Sequence, residues 1–191
     1  MKKSNLIFFL PFIFIIFLVG IFIFDINVKL KSSDKDFKLN SVLIGSEVPE
    51  IDLGQLEGID NLETKDLYSN GFKLVNFWAS WCAPCRAEHP LFMDLSRNGY
   101  SIYGVNYKDK TSNAKDFLQK LGNPYQKLGL DKNGRMAIYW GLYGVPETFL
   151  VDGSGIIIHR HAGPMTKKYS MKIFYQKCPS KLRITSHSSF R

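Results

Sequence analysis

The sequence predicts an α/β fold, a central mixed β-sheet flanked by helices, carried behind one N-terminal transmembrane helix. Three observations predict it. Strand-like and helix-like segments alternate through the middle of the chain, a β-hairpin closes that alternation, and Leu6 to Phe24 is a 19-residue run without a charge.

Residues 1–5 are polar and are read as a short cytoplasmic N-terminus. The run 6–24 is the anchor: at ~1.5 Å per residue it spans ~28 Å, close to the hydrocarbon thickness of a bilayer. Pro11 and Gly20 are compatible with this, because membrane helices tolerate both. The run ends in Phe22-Ile23-Phe24-Asp25. That ending lacks the small-residue cleavage site of a secretory leader, which favours an uncleaved anchor. Lysines flank the run on both sides, so charge alone does not orient it. Residues 25–38, rich in Lys, Asp and Ser, read as a linker.

Residues 39–178 form the predicted folded domain. Val42-Leu43-Ile44 and Val48 to Leu53, around Pro49, read as extended. Phe72 to Ala79 is an apolar run with the character of a buried strand. Ala83 to Arg97 reads as a helix with Ala87, Leu91, Met93 and Leu95 as its main apolar positions. Ser101 to Tyr107 is a second strand, and Ala114 to Leu121 a helix closed by Gly122-Asn123-Pro124. A short strand at Leu128 to Leu130 and a helix at Arg135 to Leu142 come next. Thr148 to Val151, the turn Asp152-Gly153-Ser154-Gly155, and Ile156 to His161 make the hairpin. Met165, Tyr169 and Ile173 give a weak last helix, which Pro179 ends. Residues 179–191 read as a basic, irregular tail.

Composition excludes four classes. A hydrophobic content of 45% is too high for a disordered chain. The net charge of +8 hints at nucleic acid, but from Gly153 onward there are eight Lys and Arg and no acid, and the remaining 17 basic residues balance all 17 acids. The basicity belongs to the tail rather than to a face interleaved with stacking aromatics, so no nucleic-acid partner is predicted. Three cysteines are too few for a disulfide scaffold or a Cys-rich zinc module. Cys82 and Cys85 stand three apart while Cys178 is remote, which suggests a redox pair and a bystander.

The pair sits where a strand runs into a helix, in Val75-Asn76-Phe77-Trp78-Ala79-Ser80-Trp81-Cys82-Ala83-Pro84-Cys85-Arg86. Free N–H groups and the helix dipole favour an anion at Cys82, lowering its thiol pKa and making it the nucleophile. Pro84 suits the first helical turn. Cys85, one turn in, is the expected buried resolving thiol. His89 offers part of a metal site, yet no second CxxC and no HxxxH accompanies it, so neither metal nor cofactor is expected. A purely structural disulfide gains little from closing so short a loop.

Trp81-Cys82-Ala83-Pro84-Cys85-Arg86-Ala87-Glu88-His89-Pro90 resembles the active-site helix of the CcmG/DsbE thioredoxins of cytochrome c maturation. So do Asn106-Tyr107-Lys108-Asp109, Gly122-Asn123-Pro124-Tyr125, Tyr143-Gly144-Val145-Pro146-Glu147-Thr148-Phe149-Leu150-Val151-Asp152 and Arg160-His161-Ala162-Gly163. The resemblance covers roughly residues 39–165 and implies a thioredoxin-like fold. It further implies a single-pass protein of the inner membrane whose catalytic domain faces the periplasm. Such a protein draws electrons from a transmembrane thiol reductase and reduces the haem-attachment cysteines of apocytochrome c, directly or through a partner's mixed disulfide. Pro146 then becomes the expected cis-proline facing the dithiol, and Trp81, Val145 and Glu147 the expected substrate contacts. Glu88 and Glu147 resemble the acids that this family places near its site. Because Asn76 stands where thioredoxins in general hold a buried Asp, proton handling for Cys85 is expected to pass to Glu88. The alternatives are a general periplasmic thioredoxin, an oxidant, or a copper chaperone that uses Cys82, Cys85 and a histidine. The acid-free end departs from the family's final helix.

Overall fold

The computed structural model describes residues 13–24 and 43–177, with side chains through residue 173. Several expectations lie outside the described residues: the N-terminal residues 1–5, the first part of the apolar run (6–12), the 25–38 linker, Val42, Cys178 and the 179–191 tail. Residues 13–24 form a helix, α1, exposed along its length. Its 12 described residues rise ~18 Å. Among the described residues no helix is long and apolar enough to cross a membrane.

The second unit contains a six-stranded sheet in the order β1-β4-β3-β2-β5-β6. These strands are β1 (Gly54–Gln55), β2 (Lys73–Trp78), β3 (Ser101–Tyr107), β4 (Lys127–Asp131), β5 (Glu147–Val151) and β6 (Ile157–Ala162). The helices are α2 (Ala83–Arg97), α3 (Thr111–Leu121), α4 (Arg135–Tyr139) and α5 (Lys167–Lys177). β2, β3 and β4 run parallel, while β5, β6 and β1 are antiparallel to their neighbours.

β2 is buried on both faces, and its side chains alternate with the period of two that a strand imposes. Leu74 and Trp78 join the core built with Phe92, Leu95, Phe117, Leu118 and Ile173, which α2, α3 and α5 contribute. Val75 and Phe77 join the opposite core with Met136 and Trp140, where α4 packs. Asn76 shares its parity with Leu74 and Trp78, so it points to the α2 face.

Several boundaries and one helix face differ from expectation; α3, for one, begins at Thr111 rather than Ala114. Leu43-Ile44, read as extended, lie in a turn closed by Ser46 N–H donating to Leu43 O at 3.0 Å, and Val48 to Leu53 joins no ladder of the sheet. Pro49 lacks the donor a ladder needs, and the chain is held there by the Glu47–Ile156 bridge and by Val48 N–H donating to Gly155 O at 2.9 Å. Pairing with β4 begins only at Gly54. α4 stops at Tyr139 rather than Leu142, because Gly141 turns the chain at φ +60°. On α2 the buried stripe is Cys85, Glu88, His89, Phe92 and Leu95, whereas Ala87 is exposed and Leu91 and Met93 only half-buried. Two polar residues occupy the core face of this helix.

Candidate active site

Cys82 is the N-cap of α2 and Cys85 lies within its first turn. They are joined as a disulfide, with Cα atoms 5.3 Å apart. Cys82 Sγ accepts from the Cys85 N–H at 3.1 Å, so the sulfur already takes up one of the donors left free at the helix start. Both cysteines are buried, at 4% and 3% exposure, and direction rather than exposure distinguishes them. Cys82 Sγ faces the Val145 carbonyl oxygen at 3.6 Å. The Val145–Pro146 peptide bond is cis, Pro146 is buried and Val145 half-buried.

Behind the dithiol lies a buried polar network. Glu88, one turn beyond Cys85, is 3% exposed. Its Oε1 accepts from Asn76 Nδ2 at 3.1 Å and its Oε2 from the Met165 N–H at 2.7 Å. Burial penalises the charged carboxylate and pushes Glu88 up to about 7, against the opposing pull of those two donors. Asn76 also donates to Thr148 Oγ1 at 3.1 Å and accepts from the Tyr125 hydroxyl at 2.8 Å. Tyr125 is buried, and that burial together with the neighbouring Glu88 charge holds its phenol well above the usual range. This places a carboxyl that exchanges protons near neutrality one helical turn from the inner cysteine.

Glu147 is not a surface contact for substrate. It is 2% exposed. Its Oε1 accepts from the N–H groups of Tyr143 at 2.8 Å and Gly144 at 3.2 Å. Its Oε2 accepts from Arg160 Nε at 2.8 Å and forms an ion pair with Arg160 Nη2 at 2.6 Å. The guanidinium lies under the Tyr143 ring, 4.4 Å from its centroid. Glu147 therefore fixes the 143–146 loop from below. Trp81 is 59% exposed beside Cys82, as a substrate contact requires, and its Nε1 donates to Lys108 O at 3.1 Å.

The segment entering the dithiol is clamped by Asp109, which accepts from Ser80 N–H at 2.6 Å, Ser80 Oγ at 2.8 Å and Asn106 Nδ2 at 3.1 Å. In the sequence Asp109 and Tyr125 stand only as letters of the motifs. Their roles depend on contacts between segments far apart in the chain. His89 is buried with Nε2 against Gly122 O at 3.0 Å, and burial lowers its pKa. Its ring sits at the end of α3, with Nε2 engaged by the Gly122 carbonyl. Among the described residues, no group of three or more His, Cys, Asp or Glu is placed to hold a metal ion.

Comparison with known proteins adds four findings. A family model described as Redoxin matches residues 43–175. The chain is 48% identical over 127 residues to thiol:disulfide interchange protein HelX of Rhodobacter capsulatus, covering 66% of this chain and 72% of that protein. It is 38% identical over 162 residues to thiol:disulfide interchange protein DsbE of Vibrio cholerae, covering 85% and 88%. A crystal structure assigned as thiol:disulfide interchange protein DsbE from Chlorobium tepidum superposes with a TM-score of 0.60 at 26% identity, covering 73% of this chain and 97% of the other.

Proposed function

The chain belongs to the CcmG/DsbE family of thioredoxin-like thiol–disulfide oxidoreductases, and on that premise we propose that it is the membrane-anchored reductant of cytochrome c assembly. In this reading the run 6–24 holds the domain at the periplasmic face of the inner membrane. A transmembrane thiol reductase keeps the dithiol reduced. The substrate is the oxidised CxxCH pair of apocytochrome c, or a partner's disulfide that leads to it.

The observation that carries the reading is the arrangement around Cys82. Its sulfur caps a helix on one side and faces the Val145 carbonyl on the other. An extended peptide laid along Val145 by main-chain hydrogen bonds would bring its own sulfur to Cys82, with Trp81 at the rim. The Cys82 thiolate attacks a substrate sulfur, and the other substrate sulfur leaves as thiolate and takes a proton. Glu88 accepts the Cys85 proton. The Cys85 thiolate then attacks Cys82 Sγ and expels the second substrate thiolate, which is protonated in turn. Two electrons pass from dithiol to substrate, and the Cys82–Cys85 disulfide of the present structure is the product state.

Trapping tests the reading. Cys85→Ser stops the chain at the mixed disulfide, so Cys82 should be isolated bound to CxxCH-bearing polypeptides or to a protein that carries them. Adducts spread evenly over unrelated secreted proteins would instead make it a general periplasmic thioredoxin.

A further inference from the structure

Around β1, β4 and α3 the surface lysines meet acids: Lys65 pairs with Glu63 at 2.6 Å, Lys115 with Glu57 at 3.5 Å and Lys127 with Asp66 at 2.6 Å. α5 is built differently. It lies in the stretch from Gly153 onward that holds eight Lys and Arg and no acid. Its inner face is settled: Ser170 and Ile173, with Met165 just ahead of the helix, line one small cavity with Leu150 of β5 and His159 of β6. Its outer face exposes Lys168, Met171 and Lys172, with Lys167 alongside. At about 100° per residue, positions 168, 171 and 172 share one stripe. Met171, between the two lysines along the chain, is 55% exposed. Among the described residues neither Lys168 nor Lys172 has an ion-pair partner.

A soluble face ordinarily mixes both signs, because like charges repel one another. A face of one sign is favoured where a partner carries the other. We propose that the outer face of α5, through Lys167, Lys168 and Lys172 with Met171 among them, docks on the anionic phospholipid headgroups of the membrane that carries the chain. The ammonium groups would meet headgroup phosphates, and the methionine side chain would reach toward the acyl boundary. The tether argues for this occupant over a protein partner. Only 18 residues, 25–42, at most ~65 Å of chain, connect the apolar run to the domain. A tethered face meets lipid at a high effective concentration, so a contact that is weak by itself suffices. The inference rests on the reading of the run 6–24 as an anchor and adds to it a second, electrostatic contact.

The test is a pulse of lysine acetylation with an uncharged ester, read residue by residue by mass spectrometry. The full-length chain is placed in nanodiscs of phosphatidylcholine, and in discs where phosphatidylglycerol replaces part of that lipid. At low salt Lys168 and Lys172 should react about fivefold more slowly on the anionic discs. The difference should vanish at ~1 M salt, where the screening length falls to ~3 Å. Lys65 and Lys115, on the other side of the sheet, should react alike on both lipids. In Lys168→Gln/Lys172→Gln, which changes only exposed side chains, Lys167 should regain its neutral-disc rate. Equal rates for Lys168 and Lys172 on the two lipids, or a slowing that Lys65 and Lys115 share, overturns the inference. So does protection that is already present on neutral discs and released by salt, which would give the face to acids of the protein itself. The anchor is read separately, as retention on neutral discs at ~1 M salt, because neutral lipid offers α5 no counter-charge. A chain that fails to stay there defeats the anchor reading, and the same labelling comparison with discs added still decides the docking face.

Discussion

Glu88 and Glu147 are both buried carboxylates, and their partners set them apart. Glu147 meets a guanidinium and two backbone donors, whereas Glu88 meets only the neutral Asn76 amide and one backbone donor. Desolvation therefore wins at Glu88 and raises it from 4.5 to about 7. A raised value means that the folded chain binds the proton more tightly than the unfolded chain. The stabilisation is full below pH 4.5 and is lost as pH rises through about 7, a swing on the order of 3 kcal/mol. Glu88→Gln, which cannot ionise, should gain stability relative to wild type across that window, as read from denaturant midpoints at each pH. A constant difference from pH 4.5 to 8 would show that Glu88 is ordinary. His89 titrates with the opposite sign but is present in both proteins, so it cancels.

Among the elements, β5, β6 and the 143–146 loop are tied together at Glu147, through its bonds to Arg160 and to the loop's N–H groups. Glu147→Gln leaves the Arg160 guanidinium buried without a counter-charge. Its cost should be ~3–5 kcal/mol in a denaturant titration, where a substrate contact at the rim would cost almost nothing. Most elements were legible in the sequence: α2 and β3 run between the predicted residues because a strand-to-helix junction and an apolar run leave little choice. The interior of α2 was not. Counting apolar letters picks Ala87, Leu91, Met93 and Leu95, of which only Leu95 is buried, and the stripe at i, i+3, i+4 and i+7 runs through Cys85, Glu88, His89 and Phe92. Polar residues held on a core face break the hydrophobic pattern, and here they are the chemistry. The Cys82 and Cys85 pair was legible because its spacing is local. Tyr125 and Asp109 were not, because each acts on a segment that only the folded sheet brings near.

At the scale of the molecule, the apolar N-terminal run and the redox domain are separate units, and each has its own task in the proposed function. The run would set the compartment, and the domain would set the direction of electron flow. Direction is what divides a reductant of cytochrome c assembly from an oxidant built on the same fold, and for a two-electron couple ~30 mV already amounts to ~1.4 kcal/mol. The most direct test mixes the reduced full-length chain with an oxidised peptide bearing CxxCH and quantifies both disulfides by mass spectrometry after acid quenching. The peptide should emerge as the dithiol while one Cys82–Cys85 disulfide forms per peptide reduced. A peptide that stays oxidised, or a reduced peptide that instead passes its electrons to the Cys82–Cys85 disulfide, would contradict it.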